Sequence, residues 1–454
     1  MIFLQKIKLA TAFCLIGSTY YQCGNSRKLA STAITNSTAT TTTTTTIMPT
    51  LIAKPEPNGL TDAWLYNLLQ NDNTLKNILP NKKEYQTQII YTQIDRDENN
   101  VPKFTPHYVN NDPNFYYYPA SMVKMPIAVL ALQKIKELNA KGIAITKETT
   151  MVTETATALQ TAVYNDPNSA DGKPTIANYI KKIFLVSDND AYNRLYEFLG
   201  QEYINSNLQR LGFKNTEILH RLSVSLTADE NRQTNPIKFM DTNGKLVYEQ
   251  PAQYNKRKYS KRNDKRGIGY MQSGKLVKEQ FDFSGKNRMN LQDLNDVVSH
   301  IIFGNVAHKT TFDITETDRN FIQQYMSQLP RETTYPSYLA PEYYDTYCKF
   351  LLYGSNPKTT IPNNIRIFNK VGDAYGYFTD AAYIIDTDAN IEYLISATIY
   401  ANKDGIFNDD VYEMESVALP FFKSVGEVLY NYEKTRVRKN KPNLDGYKLV
   451  YGGE

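Results

Sequence analysis

Ser121-Met-Val-Lys124 opens a stretch whose apolar spacing predicts a helix running to about residue 138. A lysine three positions after a serine lies one turn away on the same helical face. An amine held there in its neutral form takes the serine proton and turns the hydroxyl into a nucleophile. Backbone N–H groups of the first turn also point to where an oxyanion would form. The same four residues fit a plain N-terminal cap followed by a solvated lysine, and Ser355-Asn-Pro-Lys358 repeats the pattern.

A second candidate is Ser187-Asp188-Asn189, at the end of an apolar run over residues 183–186. Its hydroxyl suits proton relay to a leaving nitrogen, and the Asn189 amide suits a grip on a substrate carbonyl. The plainer reading is the cap of a helix that starts near Asp190. The third is Lys370-Val371-Gly372, at the end of a β-rich run. A lysine on an edge strand supplies positive potential, and the glycine admits close approach of a substrate. A solvated strand-end lysine before a turn glycine is its plain alternative. Lys265-Arg266-Gly267 and Lys403-Asp404-Gly405 share the loose pattern but lack the strand pair expected after Lys370.

The elements that must position these groups alternate in type. Residues 60–79 have helical spacing closed by Pro80, and residues 84–95 read as a strand apolar on both faces. Residues 102–110 offer that strand a partner. Helices are expected at residues 121–138, 175–186, 190–198, from 291 to about 301, and 318–329. Three strands follow at 365–370, 378–385 and 391–400, then a helix over 412–432 interrupted by Pro420. That order predicts an α/β (α+β) fold: an antiparallel sheet built from both chain ends, flanked by helices, with a helical lobe between.

Composition narrows the function classes. The 454 residues are 41% apolar and 22% charged, which argues against wholesale disorder and a polytopic membrane protein. A net charge of +4 is too small for a nucleic-acid coat. Three cysteines, four histidines and no HExxH pattern leave no expected metal or cofactor. His107, His220, His300 and His308 read as structural or exposed.

Taken in order, S-x-x-K, S-D-N and K-x-G carry a resemblance to the class A β-lactamase-like serine hydrolases of the β-lactamase and penicillin-binding protein superfamily. It spans residues 60–236 and 290–435, with Arg221-Leu222 and Thr234-Asn235-Pro236 where that family has its own landmarks. The resemblance implies a β-lactamase/transpeptidase-like fold and no cofactor. It makes Ser121 the nucleophile, Lys124 its general base and Ser187 a proton shuttle. It also makes Asn189 a substrate-amide contact and Lys370, with Gly372, the partner of a substrate carboxylate. The oxyanion hole would use the N–H groups of Ser121 and Asp373. The implied substrate is a β-lactam or a related amide or ester, with a D-Ala-D-Ala peptidase or a non-catalytic penicillin-binding envelope protein as alternatives. Two departures stand out. Nothing between Leu195 and Pro236 fits the family's E-x-x-L-N loop with its deacylating glutamate, Glu217 and Glu230 lacking the right neighbours and residues 221–236 being several residues too short. In addition, Val371 replaces the usual Thr or Ser.

Outside that body, residues 1–22 read as an export signal, with Lys6 and Lys8 before a short apolar run. Cys23 lies where a lipoprotein would be acylated, although Tyr21 and Gln22 are bulky for such a site. Lipidation at Cys23, export with simple cleavage, and an uncleaved N-terminus all stay open. Residues 23–55, rich in Ser and Thr, read as an extended tether of an exported, periplasmic or membrane-anchored protein. The hydrolase body is expected over residues 56–236 and 290–454. Residues 237–289 read as a basic insertion, with thirteen Lys/Arg against five acids. Gly244-Lys-Leu-Val-Tyr-Glu-Gln250 and Gly274-Lys-Leu-Val-Lys-Glu-Gln280 follow turn signals, so two β-hairpins are expected. They form either a solvated platform or a surface for anionic envelope material. The oligomeric state is not legible.

Overall fold

The structure, a computed structural model, describes residues 55–451. The expected export signal, Cys23 and the tether up to residue 54 lie outside the described residues. Five antiparallel strands form the main sheet: β1 (Gln88–Arg96), β2 (Pro102–Val109), β3 (Ile365–Ala374), β4 (Tyr377–Asp386) and β5 (Ile391–Tyr400). Their spatial order is β3-β4-β5-β1-β2, so the two ends of the body meet where β1 pairs with β5. Pro102 and Pro106 lie on the edge strand β2, where a missing N–H disrupts no ladder on the open side.

Both faces of the sheet are covered. Along β1, Ile89 and Tyr91 enter an outer core with Val109, Ile384 and Phe421, while Ile90 and Ile94 enter the inner core against the helices. This alternation is the physical reason the strand is apolar on both sides. At the centre of the helical lobe is α1 (Lys124–Ala140), whose residues 124–133 are all buried. It is packed by α2 (Ile176–Val186) and α3 (Asn189–Leu199). Against the sheet lie α4 (Leu291–Phe303) and α5 (Glu316–Ser327) on the inner face and α6 (Leu419–Thr435) on the outer. No helix among the described residues is long and apolar enough to cross a membrane.

Three expectations shift. The helix expected over residues 60–79 breaks into Ala63–Gln70 and Leu75–Ile78, because Asp72 Oδ1 accepts the N–H groups of Thr74 (2.8 Å) and Leu75 (3.0 Å). The strand expected from residue 84 starts at Gln88, since Lys82–Tyr85 coils into a helical turn closed by Gln86 at φ 46°. Pro420 does not interrupt a helix: it sits in the first turn of α6, after a π turn at Met414–Ala418, where its absent N–H costs nothing.

In the 237–289 segment, Ile237–Met240 pairs with Leu246–Gln250, and Gly269–Gln272 pairs with Lys275–Val277. Each pair is also joined to the body, the first to Thr150–Thr153 and the second to Ile406–Phe407. Most of the lysines face water, although Lys238 and Lys286 are half-buried. Lys256, Lys258, Lys261, Lys265, Lys275 and Lys278 are exposed. Arginines stitch the segment down instead: Arg257 reaches Ser206 (2.8 Å) and Gln209 (2.6 Å), and Arg266 reaches the Tyr116 carbonyl (3.3 Å).

Candidate active site

Ser121 lies just ahead of α1, in a 3₁₀ turn (Ala120–Val123) that runs into the helix at Lys124. The Met122 N–H closes this turn onto the Pro119 carbonyl at 3.0 Å. Ala120 takes a left-handed φ of 47°, a conformation that disfavours any residue with a Cβ. Ser187, at φ 60°, is a second left-handed residue, and it ends α2. Asp188 then caps α3 by accepting the Ala191 N–H at 2.7 Å. Strained backbone of this kind persists only where the surroundings over-determine it, and it gathers at functional sites.

Lys124 is completely buried and sits among four oxygens. Its Nζ lies 2.7 Å from Ser121 Oγ, 2.5 Å from the Ser187 carbonyl, 3.2 Å from Ser187 Oγ and 2.7 Å from Asn189 Oδ1. A neutral amine has two N–H groups and one lone pair. Donating to the Ser187 carbonyl and to Asn189 leaves the lone pair for the Ser121 hydroxyl proton. From the sheet side, Lys370 Nζ donates to Ser187 Oγ (2.7 Å) and to the Val371 carbonyl (2.8 Å). Ser187 Oγ is therefore bracketed by two amines. Burial lowers the Lys370 ammonium to about 8, against an opposing pull from Cys348 and Asp380.

Gly372 is where β3 touches the Ser121 turn. A Cβ there would lie 2.7 Å from the Pro119 carbonyl oxygen and 2.8 Å from Met122 Cγ. Asp373 follows with an exposed side chain, and Val371 is buried in the outer core on the other face. A hydroxyl at Val371 would thus be aimed into apolar packing. Ser121, Lys124, Ser187, Asn189, Lys370 and Gly372 converge on one locus, with Asp373 next along the strand. Ser355 and Lys358 do not share it; Ser355 bonds Tyr344 and the Tyr347 carbonyl.

Behind these groups, buried polar side chains hold the frame. Lys349 Nζ donates to Asn369 Oδ1 (2.6 Å), and Asn369 Nδ2 donates to Asp380 (2.8 Å), fixing the residue beside Lys370. Arg221 Nε donates to Glu197 (2.9 Å), which also receives Arg194 (3.1 Å). Glu197→Ala would leave two guanidinium groups buried against no carboxylate shared between them. Denaturant unfolding should register a loss of about 3–5 kcal/mol.

The model of the beta-lactamase enzyme family (Beta-lactamase2) matches residues 70–310, more than half of the chain. The chain belongs to the beta-lactamase enzyme family. It is a hydrolase of the serine β-lactamase type, with that superfamily's mixed helix and antiparallel-sheet fold. The match ends before Lys370, whose place beside Ser187 rests on geometry alone. Among solved structures, the chain is similar to PBP-A at 14% identity, with 83% of this chain and 100% of that one covered and a TM-score of 0.46. A class A beta-lactamase from Clostridium kluyveri DSM 555 aligns at 13% identity over 80% and 97%, with a TM-score of 0.43. A beta-lactamase from Burkholderia ambifaria aligns at 12% over 83% and 100%, with a TM-score of 0.44. No curated protein matches the sequence.

Within this family member, the carboxylates of residues 221–236 are engaged locally. Glu230 accepts the Thr227 N–H (2.6 Å), and Asp229 accepts the Tyr254 hydroxyl. Ser223 is a site residue that motif reading missed. Its Oγ accepts from Asn189 Nδ2 at 2.8 Å, and its left-handed φ of 55° follows directly on the Arg221-Leu222 landmark. Asn189 thus spans Lys124 and Ser223. Among the described residues, no group of three or more His, Cys, Asp or Glu could hold a metal ion. A cavity of about 700 Å³ near α2 and α5 contains none of the site groups, and its Lys147 and Lys173 face Glu148, Asp318 and Asp171.

Proposed function

We propose that the protein is an acyl-transfer enzyme that forms a covalent ester at Ser121 with a β-lactam or a related amide or ester. The observation that carries this reading is Lys124 Nζ at 2.7 Å from Ser121 Oγ, with Ser187 Oγ held between Lys124 and Lys370. Ser121 Oγ attacks the carbonyl carbon while its proton passes to Lys124 Nζ. The oxyanion is met by the N–H groups of Ser121 and Asp373. As the C–N bond breaks, Ser187 gives its proton to the leaving nitrogen and is reprotonated by Lys124. Hydrolysis of the ester then needs water and a base.

A second, peptidase-like reading is favoured by residues 221–236, whose two carboxylates are already committed to Thr227 and Tyr254. In that reading the acyl-enzyme forms and hydrolyses slowly. Intact-protein mass spectrometry after incubation with a penicillin separates the cases. A lasting adduct that disappears in Ser121→Ala supports slow deacylation, and rapid consumption of the penicillin supports a β-lactamase. With neither outcome the acyl-transfer reading fails.

Lys370 gives the reaction a pH limb. Below about pH 8 its ammonium attracts a substrate carboxylate, and above that value the charge is lost. Acylation by a carboxylate-bearing penicillin should therefore fall by up to about tenfold per pH unit above 8, while the methyl ester shows no such limb. The stability sign is opposite. The folded value lies below the unfolded one of about 10.4, so burying the ammonium destabilises in full below pH 8. That penalty is released as pH rises from 8 towards 10.4. A rate profile identical for acid and ester would remove Lys370 from carboxylate binding.

A further inference from the structure

We infer that the inserted segment is part of the cleft, with Phe283 a positioning residue that sets the gap between the Ser121 turn and β3. This rests on the acyl-transfer reading above. Tyr118 stands three residues before Ser121, and Tyr375 two residues after Asp373. Their rings meet edge to face, with centroids 5.1 Å apart and planes at 82°. The contact therefore joins the two segments that carry the proposed oxyanion donors.

The insertion supplies the floor on which that pair rests. Phe283 is completely buried, 5.9 Å from Tyr118 and 5.3 Å from Tyr375. Phe281 lies 5.5 Å from Tyr375 and 4.8 Å from Phe283, and Phe407 lies 5.1 Å from Phe283. Tyr375 itself is held at φ 57°, a left-handed residue like Ala120, Ser187 and Ser223. On its other flank Tyr118 lies parallel to His220, at 6.2 Å.

The floor is fastened to the body. Gly267, at φ 71°, lets the chain pass so close that a Cβ would sit 2.4 Å from the Gly405 carbonyl oxygen. Beside it, the Ile268 N–H donates to that same carbonyl at 2.9 Å. Arg266 lies over the Tyr116 ring at 5.6 Å, tying the insertion to the loop that leads into Tyr118. A solvated decoration would not bury an aromatic ring between the two segments of the site.

Oxyanion donors must be held to about 0.5 Å to be effective. Aromatic pairs attract beyond their buried area, and rings have few rotamers to explore. Phenylalanine has no proton to give, so Phe283 acts only through the backbone it fixes.

The test is stopped-flow labelling of the full chain with a fluorescent penicillin, which separates non-covalent binding from acylation. In Phe283→Ala the acylation rate constant should fall about ten- to hundredfold, a displaced donor costing less than a deleted one at ~10²–10³. The dissociation constant should stay within about threefold of wild type, because Ser187, Asn189 and Lys370 are untouched. Amide exchange of residues 372–376 should quicken. Phe283→Leu, which refills most of the volume, should recover most of the rate, and Lys275→Gln at the exposed hairpin tip should match wild type. Should Phe283→Ala fail to fold, the half-buried Tyr375→Ala carries the same expectation. Folded variants that acylate at the wild-type rate overturn the positioning role alone. Wild-type protein that takes no label overturns the acyl-transfer reading, and this inference with it.

Discussion

Lys124→Met leaves a protein whose Ser121 is acylated about 10²–10⁴ times more slowly, the span that a positioned general base contributes. Methionine keeps the unbranched stem of Lys124 but has no amine to receive the Ser121 proton. The same change removes the donor that reaches the Ser187 carbonyl and Asn189 Oδ1, now 2.5 Å and 2.7 Å from Nζ. Leaving those acceptors unpaired costs about 1–3 kcal/mol each, so rates must be compared well below the lowered melting temperature. Raising the pH should restore nothing, because the missing group is the base itself. A variant acylated within about threefold of wild type would falsify the assignment of Lys124 as base.

Gly372→Ala should act from the opposite wall of the site. The added methyl would meet the Pro119 carbonyl oxygen at 2.7 Å, Met122 Cγ at 2.8 Å and Met122 N at 3.2 Å. Met122 Cγ belongs to a flexible side chain, but the Pro119 oxygen is backbone in the turn that holds Ser121. β3 must therefore retreat from that turn, and overpacking of this kind costs about 1–3 kcal/mol. The retreat carries the Asp373 N–H away from the carbonyl it would polarise, and the expected loss in acylation rate is about 10²–10³. Binding of the penicillin through Lys370 should change far less. Comparing the acylation rate constant with the dissociation constant reads the two apart, and equal losses in both would assign Gly372 to substrate entry instead.

The grouping of the candidate site residues was legible in the sequence where they lie close along the chain. Ser121 and Lys124 are three residues apart, and Ser187 and Asn189 two, so short motifs capture them. Lys370 was reachable because the strands around it carry a clear apolar pattern. What escaped is set by contacts between distant segments. Ser223 has no motif; only the fold brings it within 2.8 Å of Asn189. The break after Gln70 depends on one carboxylate, Asp72, accepting two N–H groups, which apolar spacing does not register. Arginine and lysine look alike in a charge count, yet Arg257 and Arg266 face inward while the neighbouring lysines face water. The aromatic floor under Tyr118 and Tyr375 joins residues 118, 281–283, 375 and 407, a distance no periodicity spans.

The pairing of β1 with β5 matches Gln88 to Thr398 and Gln93 to Tyr393. During synthesis, then, a chain cut short between Lys124 and the final strands has Ser121 and Lys124 but no wall to complete their pocket. Its early hairpin meanwhile offers an unsatisfied edge to any neighbouring strand. The pocket is thus complete, and the free edge of β1 covered, only once β5 has been made.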